Sequence, residues 1–245
     1  LSLSFYRQEG YHPFAVKVYM LTLLNSDFEE WHMKYPEKPL EEFRFRIEKM
    51  SRSGALFDLD KLNDISKTEL SRLSAEEMLA FLKDWAFSFG SEREQAYFAD
   101  EEYLLKVLNL CMGTSGKKRR KDFVTAKQAV AEIGYFFGDR VQKDAYRVDD
   151  GTRNAILSAF LVKYDYADDA QAWFAKVKEV AASLGYAAEM RDYKANPEAY
   201  KGSVSDVAEV LRIAVTGRAN SPDLWTIMQI LGDERARARL SEARA

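Results

Sequence analysis

The chain has 245 residues, of which 47% are hydrophobic, and its formal net charge is −3. One cysteine, Cys111, and two histidines, His12 and His32, exclude an internal disulfide and argue against a structural zinc site. A chain with this acidic balance can bind nucleic acid only through a local basic patch. We find no apolar run near the roughly 20 residues of a membrane span and no signal peptide, so we expect a cytoplasmic protein without membrane contact. Leu1, in place of a starting methionine, favours a chain that begins inside a longer protein.

The apolar residues follow helical spacing almost from the start of the chain. Proline, capping and glycine residues mark the predicted helix boundaries in this half: Pro13, Pro36, Pro39, Ser74, Glu77, Gly90 and Gly113. The Ser74–Glu77 capping box precedes the strongest apolar stripe of this half, which Gly90 ends. Cys111 lies on the next stripe and is predicted to be buried as a small hydrophobe.

Residues 113–122 make the sharpest change in composition, with two glycines followed by the five cations Lys117–Lys121. Helical spacing resumes at Ala126, and a domain boundary is predicted near Asp149–Gly151. Later boundaries are predicted at Gly185, Gly217, Ser221, Pro222 and Asp233. Of these, Ser221 and Pro222 are interpreted as the N-cap and first residue of a helix, and Asp233 as the cap of an arginine-rich last helix.

These patterns predict a mainly all-α protein, with no convincing alternating strands. We expect three regions: residues 1–70, a small N-terminal region; residues 71–150, a first helical domain; and residues 151–245, a second helical domain. Tryptophans on the apolar stripes are predicted to be core residues: Trp85, Trp173 and Trp225. The arginines of the last helix are expected to form local salt bridges: Arg235, Arg237, Arg239 and Arg244.

The basic run Lys117–Lys121 is the strongest nucleic-acid signal that the residue types provide. Each phosphate that such a cation neutralises releases counterions, so binding of this kind weakens steeply with salt. An isolated charge run is more often a solvated loop, and both interpretations stay open from composition alone.

The string Lys49–Ser53 is a near match to the lysine-containing ATP loop of class I synthetases. No glycine-rich turn follows a strand, so no nucleotide fold is predicted around it. We therefore interpret Lys49–Ser53 as a helix end and loop. No catalytic residue and no metal site are predicted, because His12 and His32 lack partners for either role.

Three groups of strings resemble bacterial glutamyl-tRNA synthetases, in order and at matching separations. They are Tyr6–Ala15; Gly54–Asn63; and the C-terminal group of Leu211–Gly217, Ser221–Leu224 and Ile230–Gly232. The resemblance covers essentially the whole chain and is weakest over residues 113–150. It implies a stem-contact region followed by two helical anticodon-binding domains. It also implies that a catalytic domain using ATP and magnesium precedes Leu1, while this part holds no cofactor.

The resemblance also implies roles for particular residues in binding glutamate tRNA. An arginine of the basic run would read the first anticodon base, with Arg120 as the best match and Arg119, beside Lys118, as the next. Arg212 would contact the anticodon loop; the alternative is a surface cation favoured by the helix dipole. Ser221, Pro222 and Leu224 would line the pocket for the last base.

Two other functions stay open alongside RNA binding. A helical protein-interaction scaffold would need no common surface for Arg120, Arg212 and Ser221. A small complete enzyme would use Lys49–Ser53. We expect a monomer that does not charge tRNA alone; whether the parent enzyme also charges glutamine tRNA depends on the base-reading arginine.

Overall fold

The computed structural model describes residues 2–50, 56–116, 118–138 and 141–244. Over these residues the chain is helical and contains no sheet; extended pairing is limited to one bridge between Ala187 and Ser203. The predicted all-α class is confirmed. None of the helices in these ranges is long and apolar enough to cross a membrane.

The chain divides into two compact units, Leu1–Ile133 and Gly134–Ala245. This division falls between residues 133 and 134, whereas the predicted domain boundaries fall at 70/71 and 150/151. The division into three regions stays a prediction. Each unit is described here by itself.

The first unit is built from eight helices within its described residues: α1 Leu3–Glu9, α2 Pro13–Leu24, α3 Phe28–Lys34, α4 Leu59–Leu70, α5 Ala75–Phe89, α6 Glu92–Ala96, α7 Glu101–Met112 and α8 Ala126–Ile133. Short 3-10 turns lie at Leu40–Glu42, Ile47–Lys49 and Tyr97–Ala99. Helix α2 packs on α4, and α5 packs on both α7 and α8. Leu82 of α5, Leu104 of α7 and Ile133 of α8 are fully buried, and Leu62 of α4 is buried in a cluster with Tyr6, Tyr11 and Tyr19.

Local sequence signals account for several of these helix ends. Pro13 is the first residue of α2, as predicted. The capping box at the start of α5 is also confirmed, because the Ser74 hydroxyl accepts from Glu77 N and the Glu77 carboxylate accepts from Ser74 N. Gly113 ends α7 in the left-handed conformation, with φ of 65°.

The second unit begins with a 3-10 turn, Gly134–Phe137, and has a second at Pro197–Ala199. Its helices are α9 Asp150–Lys163, α10 Ala170–Ser183, α11 Met190–Ala195, α12 Val204–Thr216, α13 Leu224–Leu231 and α14 Asp233–Glu242. Helix α12 lies at the centre and packs against α9, α10 and α14. Its residues Val207 and Leu211 are fully buried, as are Phe160 of α9 and Ile227 of α13.

Candidate nucleic-acid interface

The basic segment of the first unit leaves α7 through a tight, glycine-dependent turn. A Cβ on Gly113 would lie 3.2 Å from the Arg120 Cγ and 3.2 Å from the Lys118 carbonyl oxygen. The Arg120 amide closes the turn by donating to Met112 O at 2.9 Å. Lys117, the first cation of the run, lies outside the described residues.

Two cations of this segment are anchored to the end of α4 and the turn after it. Arg119 Nη1 donates to the Leu73 carbonyl at 3.3 Å, and Lys121 Nζ donates to Thr68 Oγ1 at 3.1 Å. Lys118 is exposed, and no hydrogen bond or ion pair of its side chain occurs within the described ranges. The segment is thus held in place by Arg119 and Lys121, while Lys118 presents its charge to solvent.

Arg120, the predicted base-reading residue, is paired with a carboxylate. Its Nε donates to Asp122 Oδ2 at 2.7 Å and its Nη2 lies 2.6 Å from the same oxygen. The Arg120 side chain is 32% exposed. The two bonds orient the planar guanidinium, and they must be shared or exchanged before it can donate to a base edge.

In the second unit, Arg212 reaches from α12 to the loop before α13. Its Nη1 donates to the Ser221 hydroxyl, to Ser221 O at 3.3 Å and to Pro222 O at 2.8 Å. The structure therefore brings Arg212, Ser221 and Pro222 together, while their contacts with RNA stay a prediction. In this arrangement Arg212 acts as a clamp on the loop.

The predicted start of α13 was wrong by two residues. Asp223, not Ser221, is the N-cap, because its Oδ2 accepts from Thr226 N at 2.8 Å and from Thr226 Oγ1 at 2.7 Å. Pro222 consequently lies before the helix. Leu224 is only 2% exposed and packs in the core, so its side chain does not line an open surface in this conformation.

The loop between α12 and α13, residues 217–223, is braced by the segment 141–144. Lys143 N and Asp144 N donate to Gly217 O at 2.9 and 3.1 Å. Asp144 Oδ2 accepts from Ala219 N at 2.8 Å. Gly217 has a φ of 76°, and a Cβ there would overlap the Val141 carbonyl oxygen, so only glycine fits. Sequence reasoning missed this brace, which joins segments 75 residues apart.

Only some of the arginines of α14 form the local salt bridges that the sequence predicted. Arg237 does pair with Asp233, at 2.8 Å. Arg239, however, is 6% exposed and donates to Val215 O at 2.9 Å and to Tyr135 O. Arg235 likewise donates to Phe136 O at 2.8 Å. The predicted capping role of Asp233 was also wrong, since Gly232 is the N-cap and Asp233 the first helical residue.

Other sequence predictions concern the core and the ATP-loop string. Trp85, Trp173 and Cys111 are each 6% exposed, which confirms them as core residues. Trp225 is half-buried and its indole N–H donates to Asp168 O at 3.0 Å. Lys49 lies 3.5 Å from the Asp27 carboxylate.

Residues Ser51–Ser53 of the ATP-loop string lie outside the described ranges. Across the ranges that are described, no group of three or more His, Cys, Asp or Glu side chains is placed to hold a metal ion.

The cationic residues Lys118–Arg120 belong to the first unit and the Arg212–Pro222 cluster to the second. Their convergence on one surface stays a prediction. Within each unit the arrangement presents cations and a backbone loop fixed by hydrogen bonds, which are the elements that position phosphates and unstacked bases.

Helical scaffolds that present cations and fixed loops are one class of nucleic-acid-binding module. The chain belongs to the anticodon binding domain family, whose profile matches residues 77–244.

Curated relatives bear the name glutamate–tRNA ligase. The chain is 45% identical over 243 residues to that of Acetivibrio thermocellus, covering 98% of this chain and 44% of the relative. It is 38% identical over 248 residues to that of Clostridium perfringens strain 13, covering 98% and 45%. The chain thus spans less than half the length of these relatives.

Two solved structures have a fold similar to that of this chain. The glutamate–tRNA synthetase of Elizabethkingia anophelis superposes with a TM-score of 0.62 at 19% identity, over 97% of this chain and 41% of that one. A glutamate–tRNA ligase from Elizabethkingia meningosepticum gives 0.60 at 17% identity, over 98% and 42%. At these identities the likeness establishes the fold alone.

Proposed function

We propose that this chain recognises the anticodon stem-loop of glutamate tRNA as part of a glutamate–tRNA ligase. The observation that carries the proposal is the 45% identity to a protein of that name over 98% of the chain. The braced loop 217–223 supports it, because a preorganised loop can read unstacked bases without first paying the entropy of ordering.

In this proposal the two units have different tasks. The exposed Lys118 contributes sequence-independent attraction to phosphates, and Arg120 exchanges Asp122 for the edge of the first anticodon base. Ser221 and Pro222, held by Arg212, face the last base. Leu224 supports that site from the core and does not touch the base directly.

In such a ligase, we assign the chemical steps of aminoacylation to a separate catalytic domain. ATP and magnesium would act in that catalytic domain. In this chain Lys49 lies 3.5 Å from the Asp27 carboxylate, and within the described residues no group of three or more His, Cys, Asp or Glu side chains is placed to hold a metal ion. We expect this chain alone, as a cytoplasmic monomer, to bind tRNA without charging it.

The test is binding of an anticodon stem-loop RNA as a function of salt. Lys118→Ala should weaken binding to every RNA and reduce the salt slope by about 1, while Arg120→Ala should cost roughly 1–3 kcal/mol at its base. Lys106→Ala is the matched control, since Lys106 is also an exposed cation, on α7. Equal affinity for a scrambled loop would overturn the proposal.

The alternative is a helical protein-interaction scaffold. Large apolar side chains are exposed in the first unit, among them Met33, Ile47 and Leu56, and an exposed apolar surface of this kind suits a protein partner. This function predicts no stem-loop binding at any salt concentration, so the same titration separates the two.

A further inference from the structure

The carboxylate of Asp122 is bound by Arg120, and it makes no other hydrogen bond or ion pair within the described residues. Arg120 Nε donates to Asp122 Oδ2 at 2.7 Å, and Arg120 Nη2 lies 2.6 Å from the same oxygen. Of the two side chains, 32% of Arg120 and 48% of Asp122 are exposed. An ion pair this open to solvent contributes little to the stability of the fold. Its main effect is to orient the guanidinium.

The backbone that carries Asp122 is held by one amide of α8. Gln128 Nε2 donates to Asp122 O at 3.2 Å, and Gln128 Oε1 accepts from Val124 N at 2.9 Å. Val124 O in turn accepts from Ser66 Oγ at 2.5 Å. Phe123, between these two residues, is only 6% exposed. The chain is therefore fixed from residue 122 to residue 124.

The backbone that carries Arg120 is fixed as well. Arg120 N donates to Met112 O at 2.9 Å, and the side chain of the next residue, Lys121, reaches Thr68 Oγ1 at 3.1 Å. Both partners of the ion pair thus start from anchored positions. A side chain held in this way loses less entropy when it binds a ligand than a mobile one.

The ion pair uses only one edge of the guanidinium. That group is planar and carries five N–H donors, and Asp122 accepts from Nε and from Nη2. Within the described residues no hydrogen bond involves Arg120 Nη1. Nη1 and the second N–H of Nη2 form the other edge, which can bind two acceptors. Exchange with a base therefore involves Nη2 at most, and the bond from Nε to Asp122 can persist.

The charge of Asp122 acts against general RNA binding. A carboxylate within the basic segment repels phosphates and lowers the attraction that is independent of sequence. Asp122 should consequently lower the affinity for any RNA while it improves the aim of Arg120. A residue with a merely structural role would not produce these two opposite effects.

We propose that Asp122 and Gln128 are positioning residues for RNA recognition by Arg120. Asp122 sets the plane of the guanidinium before RNA binds, and Gln128 holds the backbone of Asp122. Neither side chain touches the base. The inference rests on the proposed function and deepens it, because it explains how an exposed arginine can have a defined orientation.

The experiment compares three RNAs: the glutamate stem-loop, the same loop with the first anticodon base replaced by adenine, and a scrambled loop. The pairing edge of adenine carries an N–H donor that a guanidinium cannot accept. Asp122→Ala should reduce the preference for the glutamate loop over the adenine loop by roughly 2- to 12-fold, the equivalent of immobilising one long side chain. Its affinity for the scrambled loop should rise at low salt, and this gain should disappear at high salt.

Two further variants separate orientation from charge. Asp122→Asn keeps an oxygen that can accept from Arg120 Nε, so it should retain most of the preference while it also gains affinity for the scrambled loop. Gln128→Ala should reduce the preference without that gain, because it leaves the charge in place. In the background of Arg120→Ala, Asp122→Ala should have no further effect on the preference.

Glu102→Ala is the matched control, because Glu102 is another exposed carboxylate of the first unit and pairs with Lys106 at 3.2 Å. It should keep the parent's preference. Urea unfolding should show equal stability for Asp122→Asn and the parent, since the pair is exposed.

Failure of the inference and failure of the proposed function are distinguishable. If Arg120→Ala loses the preference but Asp122→Ala keeps it in full, the positioning role of Asp122 alone is wrong. If Asp122→Asn loses as much preference as Asp122→Ala, an oxygen acceptor at this position does not orient Arg120, and the inference is also wrong. If the parent does not select the glutamate stem-loop over the scrambled loop, the proposed function fails with it.

Discussion

Arg212 and Ser221 lie nine residues apart in the chain and are joined by hydrogen bonds from one guanidinium nitrogen to both the hydroxyl and the carbonyl of the serine. Arg212 is half-buried on α12, and Ser221 belongs to the loop that precedes α13. A residue that the resemblance assigned to RNA contact therefore has a structural task before any RNA is bound.

The first prediction separates these two tasks of Arg212. Arg212→Met should lower the free energy of unfolding without RNA by about 1–3 kcal/mol, because three acceptors lose a charged donor. The ratio of affinities for the glutamate and scrambled stem-loops should fall as well. Urea unfolding and RNA titration measure the two effects.

Arg191→Met is the control for Arg212→Met, since the Arg191 side chain is 85% exposed and pairs with the adjacent Asp192. Unchanged stability of Arg212→Met, together with weaker RNA binding, would mean that Arg212 contacts RNA without holding the loop.

The second prediction concerns pH and the start of α2. His12 is the N-cap, and its Nδ1 accepts from Phe14 N at 3.2 Å while the ring packs against Phe81. Burial lowers the pKa of His12, against the opposing charges of Glu69 and Glu77. Protonation would also place a hydrogen on the accepting nitrogen.

Because the pKa of His12 is lower in the folded than in the unfolded chain, the unfolded chain binds the proton first. The contribution of His12 to stability is complete above a pH of about 6.5 and is lost as the pH falls toward the folded-state pKa. His12→Asn replaces the accepting ring nitrogen by a capping amide oxygen and removes the titration. Urea unfolding at several pH values should show a smaller loss on acidification for His12→Asn than for the parent; equal losses would exclude His12 as the cause.

The helices of this fold could be predicted from sequence because their signals are local. The apolar stripes, the capping box at Ser74 and the glycine after α7 each lie within a few residues of the feature they determine. The prediction of where α13 begins was wrong because Ser221 and Asp223 are both favourable N-cap residues, and the sequence alone did not rank them. The threonine three residues after Asp223 was the signal that could have decided it.

Contacts between residues far apart in the chain could not be predicted from these local patterns. The indole of Trp85 donates to Gln8 O at 2.9 Å, and Ala126 N donates to Gly10 O at 2.8 Å, so residues on both sides of position 70 share one unit. The bond between Asp144 and Ala219 similarly shows that residues on both sides of position 150 share the second unit. No periodicity or composition reports a partner that far along the chain.

The third prediction concerns Arg239, whose buried position on α14 the sequence did not indicate. Arg239→Met should destabilise the second unit by about 2–4 kcal/mol, because the carbonyls of Val215 and Tyr135 lose a charged donor in a dry interior. Arg244→Met, at an exposed position in the turn after the same helix, should change stability by less than about 0.5 kcal/mol. A similar small change for both variants in urea unfolding would show that the buried guanidinium contributes little.

The fourth prediction links backbone conformation to the basic segment. Gly113→Ala imposes a side chain at a φ of 65° and places a Cβ 3.2 Å from both the Arg120 Cγ and the Lys118 carbonyl oxygen. The strain should cost about 1 kcal/mol of stability, and displacement of Lys118–Arg120 should also weaken stem-loop binding. Gly185→Ala is the matched control, because Gly185 also follows a helix with φ of 84° but its nearest neighbour atom would be at an ordinary 3.6 Å. It should lose stability without losing RNA affinity.

If both Gly113→Ala and Gly185→Ala bind RNA as the parent does, the position of the basic segment does not matter for binding, and Arg120 is not the residue that reads the first base.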